Sequence, residues 1–303
     1  MSEQVIQALK TLIPAGLRKP LAKAYRAWRP LPAPPLSESQ PAAVPSVNAP
    51  LSAAPPARPR DPNELRPPDE MVYVGPGDYT EIGQHFLPLF INPGGLLPTD
   101  RVLDVGCGIG RMAVPLTGYL TTGTYEGFDI VPMGIEWCQQ NISPKFPNFH
   151  FQLADVYNQY YHPEGTCAPA QYRFPYEDAS FDFIFLTSVF THMLPRDLEA
   201  YFAQVARVLK PGARCFITFY ILNAETDALI EAGRTPMTFA YPGDGYRTVS
   251  EEVPESVIAF PEAYVRELFQ RHGLAIVEPV HFGLWCGRAQ GITYQDVVVA
   301  TKQ

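Results

Sequence analysis

The spacing of apolar positions changes repeatedly along the chain, and each change marks a predicted element. Val102 and Leu103 form a short apolar run, three glycines follow at Gly106, Gly108 and Gly110, and then Met112, Ala113, Val114 and Leu116 recur at helical intervals. That order predicts a buried strand turning sharply into a helix, with glycine where the backbone takes positive φ or passes close to a ligand. The same alternation continues. TYEGFDI, ending near Asp129, reads as a second strand, Gly134 to Asn141 as a helix, and FHFQLADV, carrying Ala154, Asp155 and Val156, as a third strand. SFDFIFL has the continuous apolar run of a central parallel strand. Leu198, Phe202, Val205, Ala206 and Leu209 share one helical face, which Lys210-Pro211-Gly212 should end. ARCFITFYIL reads as a fifth strand, PEAYVRELFQRHG as a helix, and LAIVEPVHF and YQDVVVATK as the last two strands. Ahead of the first strand, Ile82, Phe86, Leu89 and Phe90 mark one more helix. Strands alternating with helices predict an α/β fold with helices on both faces of a mostly parallel sheet.

Two stretches interrupt this rhythm. Residues 157–176 are rich in tyrosine and include Tyr160, Tyr161, His162 and Arg173; residues 223–260 have little periodicity and offer Tyr241, Asp244, Tyr246 and Arg247. Long loops at the carboxyl end of a parallel sheet tend to carry function. The first is expected to cap the substrate and the second to fold over the site. Upstream, residues 1–29 pattern as basic amphipathic helix, broken at Pro14 and Pro20, and residues 30–66 as a Pro/Ala-rich disordered linker. The folded domain is expected over 67–303, with the basic segment available for docking on a membrane surface or a partner.

Composition narrows the function. A net charge of −8 gives the body no electrostatic reason to bind nucleic acid. Five scattered cysteines without a C-x-x-C pair indicate a reducing compartment, and no Cys/His/Asp grouping has metal-ligand spacing. No apolar run approaches the ~18 residues of a membrane span. The expected location is the cytoplasm, with peripheral attachment to the inner membrane surface through residues 1–29.

The glycine spacing selects among nucleotides. A dinucleotide fingerprint needs G-x-G-x-x-G, whereas this loop is G-x-G-x-G with Asp104 just ahead of it. A carboxylate there repels a pyrophosphate and suits an ammonium or sulfonium. Asp129, about twenty residues on, is placed to accept from ribose hydroxyls. An adenosine joined to a cationic amino acid satisfies both.

With VLDVGCGIGR, the acid at Asp129 and VLKPGA after the fourth helix, the chain resembles the class I S-adenosylmethionine-dependent methyltransferases. The resemblance implies a Rossmann-like seven-stranded sheet with an antiparallel last strand. It also implies that Asp104, Gly106, Cys107, Gly108 and Gly110 hold the methionine end of S-adenosylmethionine, Asp129 and Ile130 the ribose, and Asp155 and Val156 the adenine. Thr187 would stand beside the methyl group, and Cys107 is read as a small residue in a tight turn. His192 is the candidate general base, with Tyr160, Tyr161 and His162 behind it. Tyr73, Tyr79 and His85 would approach the ligand from the helix that precedes the first motif, and Trp285 and Arg288 from a late loop. The implied reaction is in-line methyl transfer to an oxygen of a small molecule, a sugar or a lipid-linked saccharide. Two rivals remain at this point: an adaptor that binds the cofactor without turnover, and a redox protein that binds NAD.

Overall fold

The structure is a computed structural model that describes residues 64–75, 77–159, 161–235 and 237–303. The expected N-terminal helix, the linker up to residue 63, and Tyr160 lie outside the described residues. Strand β1 (Arg101–Val105) lies at the middle of the main sheet, parallel to β2 (Thr124–Asp129) on one side and β4 (Phe181–Leu186) on the other. β3 (Phe149–Leu153) extends the sheet beyond β2, and β5 (Leu209–Phe219) lies beyond β4. The far edge is made by β11 (Asp296–Lys302), antiparallel to both β5 and β10 (Leu274–Ile276). The full order is β10-β11-β5-β4-β1-β2-β3. The seven-stranded, mostly parallel Rossmann-like sheet with an antiparallel last strand is therefore as expected.

Side-chain alternation explains the burial. Leu103 and Val105 of β1, with Ile184 and Leu186 of β4, enter one core, which also holds Phe202 and Phe269. Val102, Phe183 and Phe185 point to the opposite core, beside Phe86 and Phe90 of helix α1 (Tyr79–Ile91). Helix α2 (Ala113–Leu116) and helix α3 (Pro132–Asn141) supply Ala113, Leu116 and Ile135 to that second core. Helix α4 (Pro195–Val208) buries Leu198, Tyr201, Phe202, Val205 and Val208, the stripe its sequence shows. Because β2 and β3 leave β1 in one direction and β4 and β5 in the other, a crevice opens outside the carboxyl ends of β1 and β4.

Three details depart from expectation. α4 ends at Val208 rather than at the Lys-Pro-Gly step, and β5 starts at once, with a register shift between Phe181 and Phe183 absorbing the turn. The sixth strand of the pattern is reduced to Leu274–Ile276, since Pro279 has no N–H to donate to a ladder. The second insertion is ordered. It holds helix α5 (Ala224–Glu231), started by a capping box between Asn223 and Thr226, then β7 (Tyr241–Gly243) and β8 (Tyr246–Thr248). Together with β6 (Ile221–Leu222) and β9 (Ile258–Pro261) they form a second sheet, ordered β6-β9-β8-β7; helix α6 (Glu262–Arg271) follows. Strands of two to four residues are too short to show alternation in a sequence.

Candidate active site

The glycine loop bends back over the end of β2. The Gly106 and Cys107 amides both donate to the Phe128 carbonyl, at 2.9 and 3.0 Å. Gly106 and Gly108 have φ of +78° and +56°, and a Cβ at either would stand 2.5 Å from Val189 and 2.6 Å from Val74. Conformation and space both demand glycine there. Cys107 is buried, and its burial pushes the thiol pKa well up, so it stays an uncharged packing residue.

Asp129 terminates β2 under this loop. Its Oδ2 accepts from the Gly108 amide at 2.8 Å and its Oδ1 from Val131 at 2.9 Å. Each carboxylate oxygen retains a lone pair for a further donor. Burial raises its pKa, against the opposing pull of those amides. Ile130 beside it packs against the core.

Around the loop, several buried polar atoms lack a hydrogen-bond partner: Asp104 Oδ1, the Tyr73 hydroxyl, and Arg111 Nε and one terminal nitrogen. Asp104 is fully buried; its Oδ2 accepts from Tyr125 at 2.6 Å, and burial, with Asp129 adding to it, raises its pKa well above the ordinary value. Burial lowers the pKa of Arg111 to about 10. The Tyr73 phenol is raised by burial and by the nearby Asp129 charge. Tyr79 is buried too, and its hydroxyl donates to Ile109 at 3.0 Å. Orphaned buried groups are rare and costly, and a carboxylate and a guanidinium left unfilled beside one loop complement a ligand with both a cationic and an anionic group. The α-amino acid end of S-adenosylmethionine has that pair, and Asp129 suits its ribose. The residues present fit the cofactor.

The residues expected on the adenine side follow β3. Asp155 is exposed, and its carboxylate accepts from the Thr166 amide at 3.1 Å and from the Thr166 hydroxyl, which holds its pKa below the usual range. It closes the first insertion as a turn acid. Ala154 and Val156 are buried in the core beside it.

Beyond β4 the chain turns at Thr187, half-buried, and Ser188, which is exposed and holds φ of +60° without being glycine. Strained backbone of this kind clusters at functional sites. The Ser188 amide donates to Thr218 Oγ1 at 2.8 Å and its hydroxyl to Gln295 Oε1 at 3.0 Å. His192 follows in a 3₁₀ turn, half-buried, with Nδ1 3.0 Å from the Glu255 carbonyl. Burial lowers its pKa below the usual value, outweighing the carbonyls of Glu255 and Ser256. Tyr161 meets the His192 ring edge-on, with centroids 5.3 Å apart. His162 is employed elsewhere: its Nδ1 lies 3.0 Å from the Val156 carbonyl within the first insertion.

The late loop is corrected by the structure. Trp285 is buried with its indole N–H on Asp296 at 2.7 Å, and Arg288 pairs with Glu225 at 2.9 Å and Asp296 at 3.3 Å. Both side chains are buried and brace the second insertion. Arg247 pairs with Asp227 at 2.8 Å, whereas Tyr241 is exposed on β7. His85 packs edge-on against Phe86. Thr218, Gln295, Asn158 and Glu255 escaped the sequence reading, because strand register and loop docking alone bring them to the site. Among the described residues no cluster of His, Cys, Asp and Glu could hold a metal.

Residues 103–217 match the family model described as a methyltransferase domain. The matched stretch runs from β1 into β5 and is similar to a methyltransferase domain. Over 120 residues the chain is 32% identical to an O-methyltransferase (cnsE) of Penicillium expansum, covering 39% of this chain and 37% of that one. Over 116 residues it is 34% identical to a probable phthiotriol/phenolphthiotriol dimycocerosates methyltransferase of Mycobacterium ulcerans, covering 38% of each chain. The match thus spans less than two fifths of the length of these relatives. Among solved structures, the PH0226 protein of Pyrococcus horikoshii OT3 superposes with a TM-score of 0.51 at 16% identity, covering 77% of this chain and 95% of that one. That likeness shows the fold alone. The matched stretch thus includes the elements that build the glycine loop, Asp129 and the β4 turn.

Proposed function

We propose that the chain transfers a methyl group from S-adenosylmethionine to a hydroxyl of a small molecule, a sugar or a lipid-linked saccharide. The observation that carries the cofactor half is the pair of buried groups with unpartnered atoms, the Asp104 carboxyl and the Arg111 guanidinium, flanking a loop that Asp129 supports. Bound S-adenosylmethionine supplies an electrophilic methyl carbon on a sulfonium. Arg111 would hold the carboxylate of its amino acid end, Asp104 would favour the adjacent positive charge, and Asp129 would accept from the ribose. The insertions would exclude water and align the acceptor, which is most of what an in-line displacement requires.

The oxygen half of the proposal rests on His192. A carbonyl can only accept, so Nδ1 donates to Glu255 and the neutral ring keeps a lone pair at Nε2 for the proton of an attacking hydroxyl. A base must be neutral to act. A pKa held below 6.5 therefore leaves His192 competent at a pH where an ordinary histidine is already charged. Methyl transfer is expected to hold its rate from pH 8 down past 6.5 and to fall only in more acidic buffer, as a pH profile of initial rates would show. A fall centred above 6.5 would remove His192 from the role.

Calorimetric titration tests the cofactor half. S-adenosylhomocysteine should bind and NAD should not. Arg111→Met should weaken S-adenosylhomocysteine by about ten- to a hundred-fold, the worth of a charge-assisted hydrogen bond, and leave 5′-methylthioadenosine, which lacks the amino acid, unchanged. Absence of adenosyl binding by the folded protein would overturn the proposal, and binding of NAD would replace it with the redox reading. The lipid and small-molecule names of the relatives support an acceptor of that general kind. No described helix is long and apolar enough to cross a membrane.

A further inference from the structure

One buried amide joins the two insertions at the candidate base. Asn158, on the first insertion, is 7% exposed. Its Oδ1 accepts from the Tyr161 amide at 2.9 Å, and its Nδ2 donates to Glu255 Oε1 at 3.3 Å and toward the His192 carbonyl at 3.4 Å. Glu255, 8% exposed, lies in the 3₁₀ turn Pro254–Ser256 of the second insertion, and its backbone carbonyl receives His192 Nδ1. Tyr161, whose amide Asn158 holds, is the residue whose ring abuts His192. Asparagine suits this place chemically. It offers one acceptor and two N–H donors on a single short plane, and the described residues around it include one donor, the Tyr161 amide, and two acceptors, Glu255 Oε1 and the His192 carbonyl.

We propose that Asn158 is a positioning residue that fastens the first insertion to the second across His192 and so holds the ring as the Nδ1–H tautomer. This rests on the reading of His192 as the base, but the tautomer can be observed without any turnover. The neutral Nδ1–H ring is the form with a lone pair at Nε2. Release of Glu255 from Asn158 frees the 3₁₀ turn that carries the accepting carbonyl, and with it the constraint on the ring. One side chain would then set both the closure of the site and the protonation state of its base.

The test is a long-range ¹⁵N–¹H spectrum of the full chain with labelled histidine, the His192 signals being assigned with His192→Gln. Wild type should show the Nδ1–H pattern at neutral pH. Asn158→Asp keeps the acceptor for the Tyr161 amide, loses both donors and sets a carboxylate against Glu255. It should lose the Nδ1–H pattern and speed amide exchange in residues 157–167 and 249–257 by about tenfold or more. Asn158→Asp combined with Glu255→Gln rebuilds the contact with donor and acceptor exchanged, and should restore both readings toward wild type. Asn158→Ala, which introduces no charge, should show the same losses if the aspartate variant fails to fold. An unchanged tautomer in a folded Asn158 variant would overturn the proposal, and so would a double variant no different from the single one. Affinity for S-adenosylhomocysteine should be unchanged in all of them. If His192→Gln retains full turnover while the tautomer still depends on Asn158, the base assignment fails and the fastening stands.

Discussion

Asp296→Ala is expected to lower the unfolding free energy by about 3–5 kcal/mol, the cost of stripping the partner from a buried charged network. Asp296 is fully buried where β11 begins. It accepts from the Ile221 and Gly283 amides and the Trp285 indole, each at 2.7 Å, with Arg288 at 3.3 Å. One carboxylate thereby ties the end of the main sheet to the start of the second insertion and to the loop that carries Trp285. Alanine would orphan three N–H donors and leave Arg288, whose side chain is 6% exposed, with Glu225 as its one remaining carboxylate beside the Gly283 carbonyl. Urea denaturation followed by fluorescence would measure the loss. The pH dependence adds a check on its origin. Burial pushes the Asp296 pKa up to about 6 from 3.8, against the opposing pull of its donors. A raised folded pKa gives stability that is full below the unfolded pKa and fades as pH rises to the folded one. The wild-type advantage over Asp296→Ala should therefore be widest below pH 4 and shrink by about 3 kcal/mol by pH 7, most of it between the two pKa values at up to about 1.4 kcal/mol for each pH unit. An advantage that instead grew between pH 4 and 6 would mean that the four donors outweigh burial.

The legible parts of the chain are those where sequence neighbours are also spatial neighbours. The strand, glycine loop and helix at 101–116 and the acid closing β2 announced themselves because each depends on a few consecutive residues. Asp155 was legible as the acid after the third strand, but its partner is Thr166, eleven residues away in an insertion with no periodic pattern. Trp285 suggested a substrate-facing aromatic, whereas an indole N–H with a buried carboxylate at hand is more stable inside, and Asp296 provides it. The candidate base was identified by its place after β4. What holds it comes from Asn158 and Glu255, 34 residues before and 63 residues after it, whose meeting depends on how both insertions dock. Long-range polar contacts of this kind leave no spacing signal in a sequence.

Asp129→Ala is expected to weaken S-adenosylhomocysteine binding by about ten- to a hundred-fold, the worth of a hydrogen bond between a carboxylate and a neutral hydroxyl. Two losses combine. The ribose would lose its acceptor, and the Gly108 amide would be released at the tightest point of the loop, where φ is +56° and Val74 closes from above. The second loss also reaches the fold, since the Val131 amide at the start of α3 is orphaned too. Stability should fall by about 1–3 kcal/mol for each unsatisfied amide that water does not reach. Asp129→Asn keeps one carbonyl oxygen for those amides and should lose affinity with a smaller loss of stability. The nucleoside probe separates the two ends of the site. If Asp129 faces the ribose, 5′-methylthioadenosine and S-adenosylhomocysteine lose affinity by the same factor in the Asp129 variants, whereas Arg111→Met spares the first and weakens the second. An Asp129 variant that lost S-adenosylhomocysteine yet kept 5′-methylthioadenosine would move this carboxylate to the amino acid end. It would also return the ribose to some other acceptor at the carboxyl edge of the sheet.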